Sequence, residues 1–418
     1  MSELSEQEIR KNVRAWLEKN WDPELKLMAW RSLLMDSGWG VPGWTKKWYG
    51  QDCTPKMAEA IQDEIKRFGA VGVAQSGVRM LAAATLLEHG SDEQNEVFLR
   101  RILTGEDNWC QLFSEPGSGS DLAGLTTRAD LDGDQWKING QKVWTTSAHH
   151  AQYGLLLART DWNVSKHQGI SYFIIDMNQP GIEVRPLKQM NGHASFNEVF
   201  MTDAIVPADM LLGSLNQGWQ VAMTTLAHER RSADGMRRMG AKTAGKGSIF
   251  KELAAETETV MEPYKWYPQR AGRADLIVSR AKETDKIKDA VVRQEVAKAL
   301  TLSRASQWTA IRAREAHMLG RPQGPEGSLG KLAASHVARA SSKVHSLISG
   351  ADAMLKGSDG PLDGIIAEVL LSVPAVSIAG GTDEIQRNII SERVLGLPKE
   401  PRTDTDRPFR DVPRNFSR

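Results

Sequence analysis

The sequence predicts an α+β protein built as three consecutive parts: helices, then strands, then helices again. Two observations carry that prediction. Apolar residues recur every three or four positions from Glu8 to about Gly105, give way to short β-type runs between about Asn108 and Gly213, and resume the helical interval after Gly218. Turn residues change in step, with Asp-Gly, Asn-Gly and Pro-Gly pairs punctuating the middle part. The chain is therefore divided into an N-terminal helical domain over 1–107, a middle β domain over 108–213, a C-terminal helical bundle over 214–398 and a tail over 399–418.

In the first part, Val13, Trp16 and Leu17, then Ile61, Ile65 and Phe68, then Val78, Leu81, Leu86 and Leu87 mark the apolar stripes of four or five helices. Breaks at Gly38 to Gly43 and at Gly90-Ser91-Asp92 separate them, and Ser91 is placed to cap the acidic turn that follows. Trp39, Trp44 and Trp48 read as packing within this layer. In the middle part, 153–159, 170–176 and 182–185 read as strands. In the last part, 291–302, 329–355 and 385–394 read as helices. The polar, Pro-containing stretch 255–288 and everything from Pro398 onward read as loops or arms.

With 53 basic and 52 acidic residues the net charge is +1, which excludes the global field that draws nucleic acid or an acidic membrane surface. Cys53 and Cys110 stand alone, without the spacing of a disulfide framework or a zinc site. The acidic, amphipathic N-terminus differs from a signal or transit peptide. No apolar run approaches the roughly 20 residues of a membrane span. A cytoplasmic protein is expected. His149, His150, His167 and His193 lack helical pairing and a carboxylate partner at recognisable spacing, so they read as exposed or capping residues and no metal is expected.

Two segments carry the chemistry: Phe113-Ser-Glu-Pro-Gly-Ser-Gly-Ser-Asp121 and Ile138-Asn-Gly-Gln-Lys-Val-Trp-Thr-Thr146. The first offers backbone N–H groups and hydroxyls at close range, and the second offers a broad apolar face beside small donors, which together suit a flat ring with polar edges. Gly117-Ser-Gly-Ser-Asp-Leu122 fails the dinucleotide-binding pattern, because Leu122 stands where the third Gly belongs. By itself it would read as a surface turn. With Gly380-Gly-Thr-Asp-Glu-Ile-Gln-Arg387 added at the matching separation, the chain resembles the acyl-CoA dehydrogenase family over nearly its whole length.

The resemblance implies an N-terminal α-helical domain, a middle β-barrel or sandwich and a C-terminal four-helix bundle, with FAD as cofactor. Carried over, it puts Phe113 and Ser114 on the flavin ring, and Gly119 and Ser120 at the junction of flavin and acyl-CoA. Trp144 covers one ring face, Thr146 hydrogen-bonds near the reactive nitrogen, and Thr382 and Glu384 bind the adenosine half. Donors aimed at the ring's carbonyl edge stabilise the negative charge that arrives with a hydride.

One departure is consequential: most of the family has a catalytic Glu where this chain has Gly380. Removing an α proton from a thioester needs a dry carboxylate on the face opposite the flavin. In members resembling isovaleryl-CoA dehydrogenase it comes from a bundle helix, immediately before an Arg. Here that helix reads Thr225-Leu-Ala-His-Glu-Arg-Arg231, entered through Gly213-Ser-Leu-Asn-Gln-Gly-Trp219, and Glu229 matches the base. A solvated Glu in a charged run is the rival reading. Gly380 keeps the backbone N–H that polarises the thioester carbonyl in the family. Arg230 and Ser120 match positions near the CoA chain, with a structural ion pair as the rival for Arg230.

The family's Arg-x-x-Phe-Gly stretch, which reaches a neighbouring subunit's FAD, is missing; Arg273, or Arg293 with Gln294, are the substitutes in sequence. The resemblance implies dehydrogenation of an acyl-CoA to a trans-2-enoyl-CoA, electrons passing to an electron-transferring flavoprotein, and a homodimer or homotetramer. Two rivals share the fold: a non-catalytic subunit of a heteromeric dehydrogenase, and an oxidase that passes electrons to O₂.

Overall fold

In the computed structural model, residues 5–74, 77–236, 245–321, 324, 326–401, 404 and 406–413 are described, with backbone alone for 230–236 and 326. The chain divides into two compact units, one of Met1–Leu187, Ser195–Glu262 and Arg402–Arg418, the other of Lys188–Ala194 and Pro263–Pro401.

The first unit begins with α1 (Glu6–Asn20), α2 (Leu27–Asp36), α3 (Pro55–Phe68), α4 (Val78–His89) and α5 (Asp92–Thr104). Their starts are written in sequence. Ser5 and Ser91 each form a capping box, Ser91 with Gln94 as its partner, and Thr54 caps α3 with Pro55 in the first turn. Ile9, Val13, Leu17, Trp30 and Leu34 fill the core of this layer.

The middle of the chain supplies β1 (Trp109–Leu112), β2 (Arg128–Asp132), β3 (Gln135–Thr146), β4 (Tyr153–Arg159), β5 (Ile170–Asp176), β6 (Ile182–Leu187) and β7 (Phe196–Pro207). They form one curled sheet in the order β1-β4-β2-β3-β7-β6, with β5 added on β4. β4 and β5 are buried nearly throughout, which is why they read as continuous apolar runs.

Two helices complete this unit, α6 (Gly218–Met236) and α7 (Ser248–Met261). α6 packs on α4 and β5. It enters at Gly218, where a Cβ would stand 2.4 Å from the Ser171 carbonyl carbon, so only glycine allows the approach. The stretch expected as a loop from residue 255 is largely helical. The charges of α7 are spent on the N-terminal helices: Glu252 accepts from Leu27 N at 2.8 Å, capping α2, and Glu256 accepts from Arg31 (2.6 Å) and Arg79 (2.8 Å). Burial would raise the Glu256 carboxyl, but the two guanidiniums hold it below its ordinary value. Glu256→Gln is expected to lower stability by about 2 kcal/mol, the scale of a charged hydrogen bond, as read by urea denaturation.

The second unit contains α8 (Tyr267–Arg270), α9 (Ile277–Glu283), α10 (Ala290–Met318), α11 (Glu326–Ser349), α12 (Ile365–Ser372) and α13 (Asp383–Arg393). α11 packs against α10, α12 and α13. Val292, Val296, Ala299, Val344 and Ile348 form a core at the start of α10, beyond which Leu300, Trp308, Ile311 and Leu319 are exposed. The C-terminal tail also departs from its expected character as an arm, since Phe409 is only 1% exposed. Among the described residues no helix is long and apolar enough to cross a membrane.

Candidate active site

The register of β3 against β7 slips between Lys142 and Thr145, leaving Val143 and Trp144 outside the ladder. Trp144 is held at φ 62°, a region that costs a bulky residue about 1–3 kcal/mol, and 55% of it is exposed. Its ring stands edge-on to Phe196 at 5.7 Å. A strained backbone that presents an aromatic face to the outside is an arrangement that packing alone does not explain.

Freed from β7, Val143 N donates to Ser114 O at 2.9 Å, which joins the Trp144 segment to the Phe113-Ser114 loop at the end of β1. A buried ion pair locks the same junction. Lys142, fully buried, donates through Nζ to Phe113 O (3.0 Å) and to Glu115 Oε1 (2.9 Å). The Glu115 carboxylate also accepts from Thr126 N (2.7 Å) and Thr127 N (2.8 Å). Burial would raise its pKa, but the Lys142 ammonium and these donors bring it down to about 2.

Glu115 and Ser118 close a narrow turn through mutual backbone bonds of 2.9 and 3.0 Å, and Ser118 Oγ donates to Asp121 O at 2.6 Å. Above it Gly119 and Ser120 are exposed, and no heavy atom lies within 4 Å of where a Gly119 Cβ would sit. The Phe113 ring is buried edge-on to Tyr172 at 5.8 Å, so this residue offers the site its main chain. Ser114 and Thr146 are half-buried at the loop and strand ends. An open Gly/Ser turn beside a projecting indole fits a planar cofactor with polar edges.

Glu229 lies half-buried on α6, and Gln111 Nε2 on β1 donates to its Oε2 at 3.4 Å. One turn earlier, Thr225 bonds to Thr85 (2.9 Å) and Tyr172 (3.0 Å), which pins α6 to α4 and β5. Burial drives the Tyr172 phenol upward, and the Glu229 charge acts in the same direction. A cavity of about 440 Å³ is lined by Trp44, Met80, Ala84 and Leu87, with Glu88 and His228 as its polar members. The Arg230 side chain lies outside the described residues.

In the second unit, Gly380 and Gly381 adopt φ of 68° and 82°, and Gln386 Nε2 donates to Gly380 O at 3.1 Å. Thr382 caps α13 by accepting from Ile385 N (3.2 Å), and Glu384, largely exposed, pairs with Arg387. Arg293 turns back to donate to Lys288 O at 2.7 Å. Arg273 is bonded to Asp275.

Sequence reasoning missed Glu115, Lys142, Gln111 and Thr225. The pairing of Glu115 with Lys142 spans 27 residues and leaves no local spacing. Strand parity held one signal: Lys142 shares the inward phase of Trp136 and Ile138, and a Lys there demands a buried partner.

Three family models match the chain: acyl-CoA dehydrogenase N-terminal domain over residues 1–106, middle domain over 110–204 and C-terminal domain over 271–395. Acyl-CoA dehydrogenase IpdE1 of Mycobacterium tuberculosis is 33% identical over 417 residues, covering 94% of this chain and 98% of that protein. Acyl-CoA dehydrogenase FadE34 of the same organism is 34% identical over 88% of this chain, which spans 46% of FadE34. Among solved structures, the Tcur3481-Tcur3483 steroid ACAD superposes with a TM-score of 0.65 at 24% identity, over 94% of this chain and 98% of that one, a likeness of fold.

Proposed function

Since the chain belongs to the acyl-CoA dehydrogenase family and is thereby an FAD-dependent oxidoreductase of acyl-CoA thioesters, we propose that it forms a trans-2-enoyl-CoA with Glu229 as general base. One observation carries this reading: Gln111, which holds the Glu229 carboxylate, lies two residues before Phe113 on the strand that runs into the Ser114 loop. The strand that leads into the cofactor loop thus also carries the side chain that bonds to the base.

In this mechanism the Glu229 carboxylate, half-buried on α6, takes the α proton. A bound FAD would supply the hydride acceptor for the β hydrogen. Trp144, Ser114 and Thr146 cover and orient the ring, while Phe113 contributes its main chain and Gly119 and Ser120 face the junction with the thioester. The Gly380 N–H polarises the thioester carbonyl. Thr382, Glu384 and Arg293 serve the adenosine half, and Arg230 the CoA chain.

A branched or cyclic acyl group suits a base carried on a bundle helix, and the open, partly apolar pocket at His228 borders that same helix. The exposed Leu300, Trp308 and Ile311 on α10 support assembly with a second copy of the chain. Reduced enzyme passes its electrons to an electron-transferring flavoprotein.

Anaerobic titration of the purified protein with a panel of acyl-CoAs tests the reading. Bleaching of the flavin absorbance by a branched or cyclic acyl-CoA, with no peroxide release in air, is the expected result. A single chain that carries no FAD until a second polypeptide is added would reassign it as a partner subunit, and stoichiometric peroxide would reassign it as an oxidase.

A further inference from the structure

Asp404 and residues 406–411 return to the strand and loops behind the 117–121 turn. Phe409 N donates to Val164 O (2.8 Å), Arg410 N to Trp162 O (3.0 Å) and Arg410 Nη1 to Asn163 Oδ1 (2.8 Å). The Phe409 ring lies 3.3 Å from the guanidinium carbon of Arg159 and 5.5 Å from the Trp162 ring. Arg159, fully buried on β4, donates to Ala123 O (2.7 Å), Leu125 O (3.1 Å) and Lys166 O (3.0 Å). Lys166 in turn bonds to Asp121 at 2.9 Å and to Asp404 in the tail.

Two buried cations therefore grip residues 121–125 from below, and the tail covers both. Asp404 supplies Lys166 with its second carboxylate, and Phe409 closes the face of Arg159 away from water. The turn itself is exposed at Gly119 and Ser120 and, among the described residues, has no neighbour within 4 Å of a Gly119 Cβ, so its shape depends on what holds its base.

We propose that Asp404 and Phe409 are positioning residues for the turn that faces the flavin and acyl-CoA, so that the tail is part of what makes the site competent to bind. This rests on the reading of that turn given under Proposed function. Neither residue touches the reacting atoms. The consequence is an effect on binding at nearly constant chemistry.

The test compares Asp404→Asn, Asp404→Glu and Phe409→Ala in the full chain. FAD affinity is read by reconstituting apoprotein with FAD, and KM and kcat are measured with the acyl-CoA that reduces the wild type. Losing a charge-assisted bond in Asp404→Asn should raise the FAD dissociation constant and the acyl-CoA KM by about tenfold. The kcat per bound flavin should stay within about twofold, and Asp404→Glu should restore both constants. Phe409→Ala should show the same split more strongly. If Asp404→Asn and Phe409→Ala lower the melting temperature but leave FAD affinity and KM unchanged, the tail is structural only and the inference falls. Failure of the functional reading looks different, since the wild type would then bind no FAD or fail to reduce it.

Discussion

Glu229→Gln is expected to lower the rate of flavin reduction by acyl-CoA by roughly 10²-fold or more, the scale of a lost general base, while the protein keeps its flavin. The substitution keeps the side chain's shape and leaves a carbonyl oxygen to accept from Gln111, so the fold around α6 should survive. Rapid mixing with substrate isolates the reductive step from product release. Near-normal reduction in this variant would return Glu229 to a charged helix face. Rescue by an acid at position 380 is not expected. Gly380 sits at φ 68°, where an L side chain is strained, so Gly380→Glu in the Glu229→Gln background should remain inactive in the same assay.

Lys142→Met carries the largest expected loss of stability, about 3–5 kcal/mol, because it leaves the Glu115 carboxylate buried without its cation. It also frees Phe113 O and loosens the junction that Val143 and Ser114 form, so flavin should be lost on purification. Denaturation curves with and without added FAD separate the two effects.

The pH dependence gives an independent check on this pair. Glu115 is drawn from 4.5 to about 2, so its contribution is complete above pH 4.5 and is lost as the pH falls toward 2. In Lys142→Met the burial that opposes ionisation is no longer outweighed, so a protonated Glu115 suits the variant better. The stability gap between wild type and variant should therefore narrow as pH falls. A gap that stays constant between neutral and acid pH would remove the Glu115–Lys142 pair from this role.

Local pattern made most of the architecture readable. Strands 153–159 and 170–176 coincide with β4 and β5 because continuous apolar runs between turns have few alternatives, and Ser91 caps α5 because its partner is three residues away. Family membership and FAD were legible for a related reason: the Phe113, Trp144 and Gly380 motifs are contiguous stretches whose chemistry is written in order. The helical end of α7 at 255–261 and the tail at 406–413 differ from the loops or arms expected because each is held by partners far away in sequence, Arg31 and Arg79 for Glu256, Arg159 for Phe409.

The sequence by itself named the candidate residues for the chemistry: a loop motif and a strand motif, a helix carrying His228-Glu229, and a glycine where an acid usually stands. Tertiary structure decided how they are held. The slipped register that turns Trp144 outward, the Glu115–Lys142 pair beneath the loop and the Gln111 amide on Glu229 all join segments between 27 and 118 residues apart. Periodicity and spacing report what neighbours along the chain will do. A buried charge chooses its partner by desolvation, which acts on proximity in space and leaves no mark in sequence order.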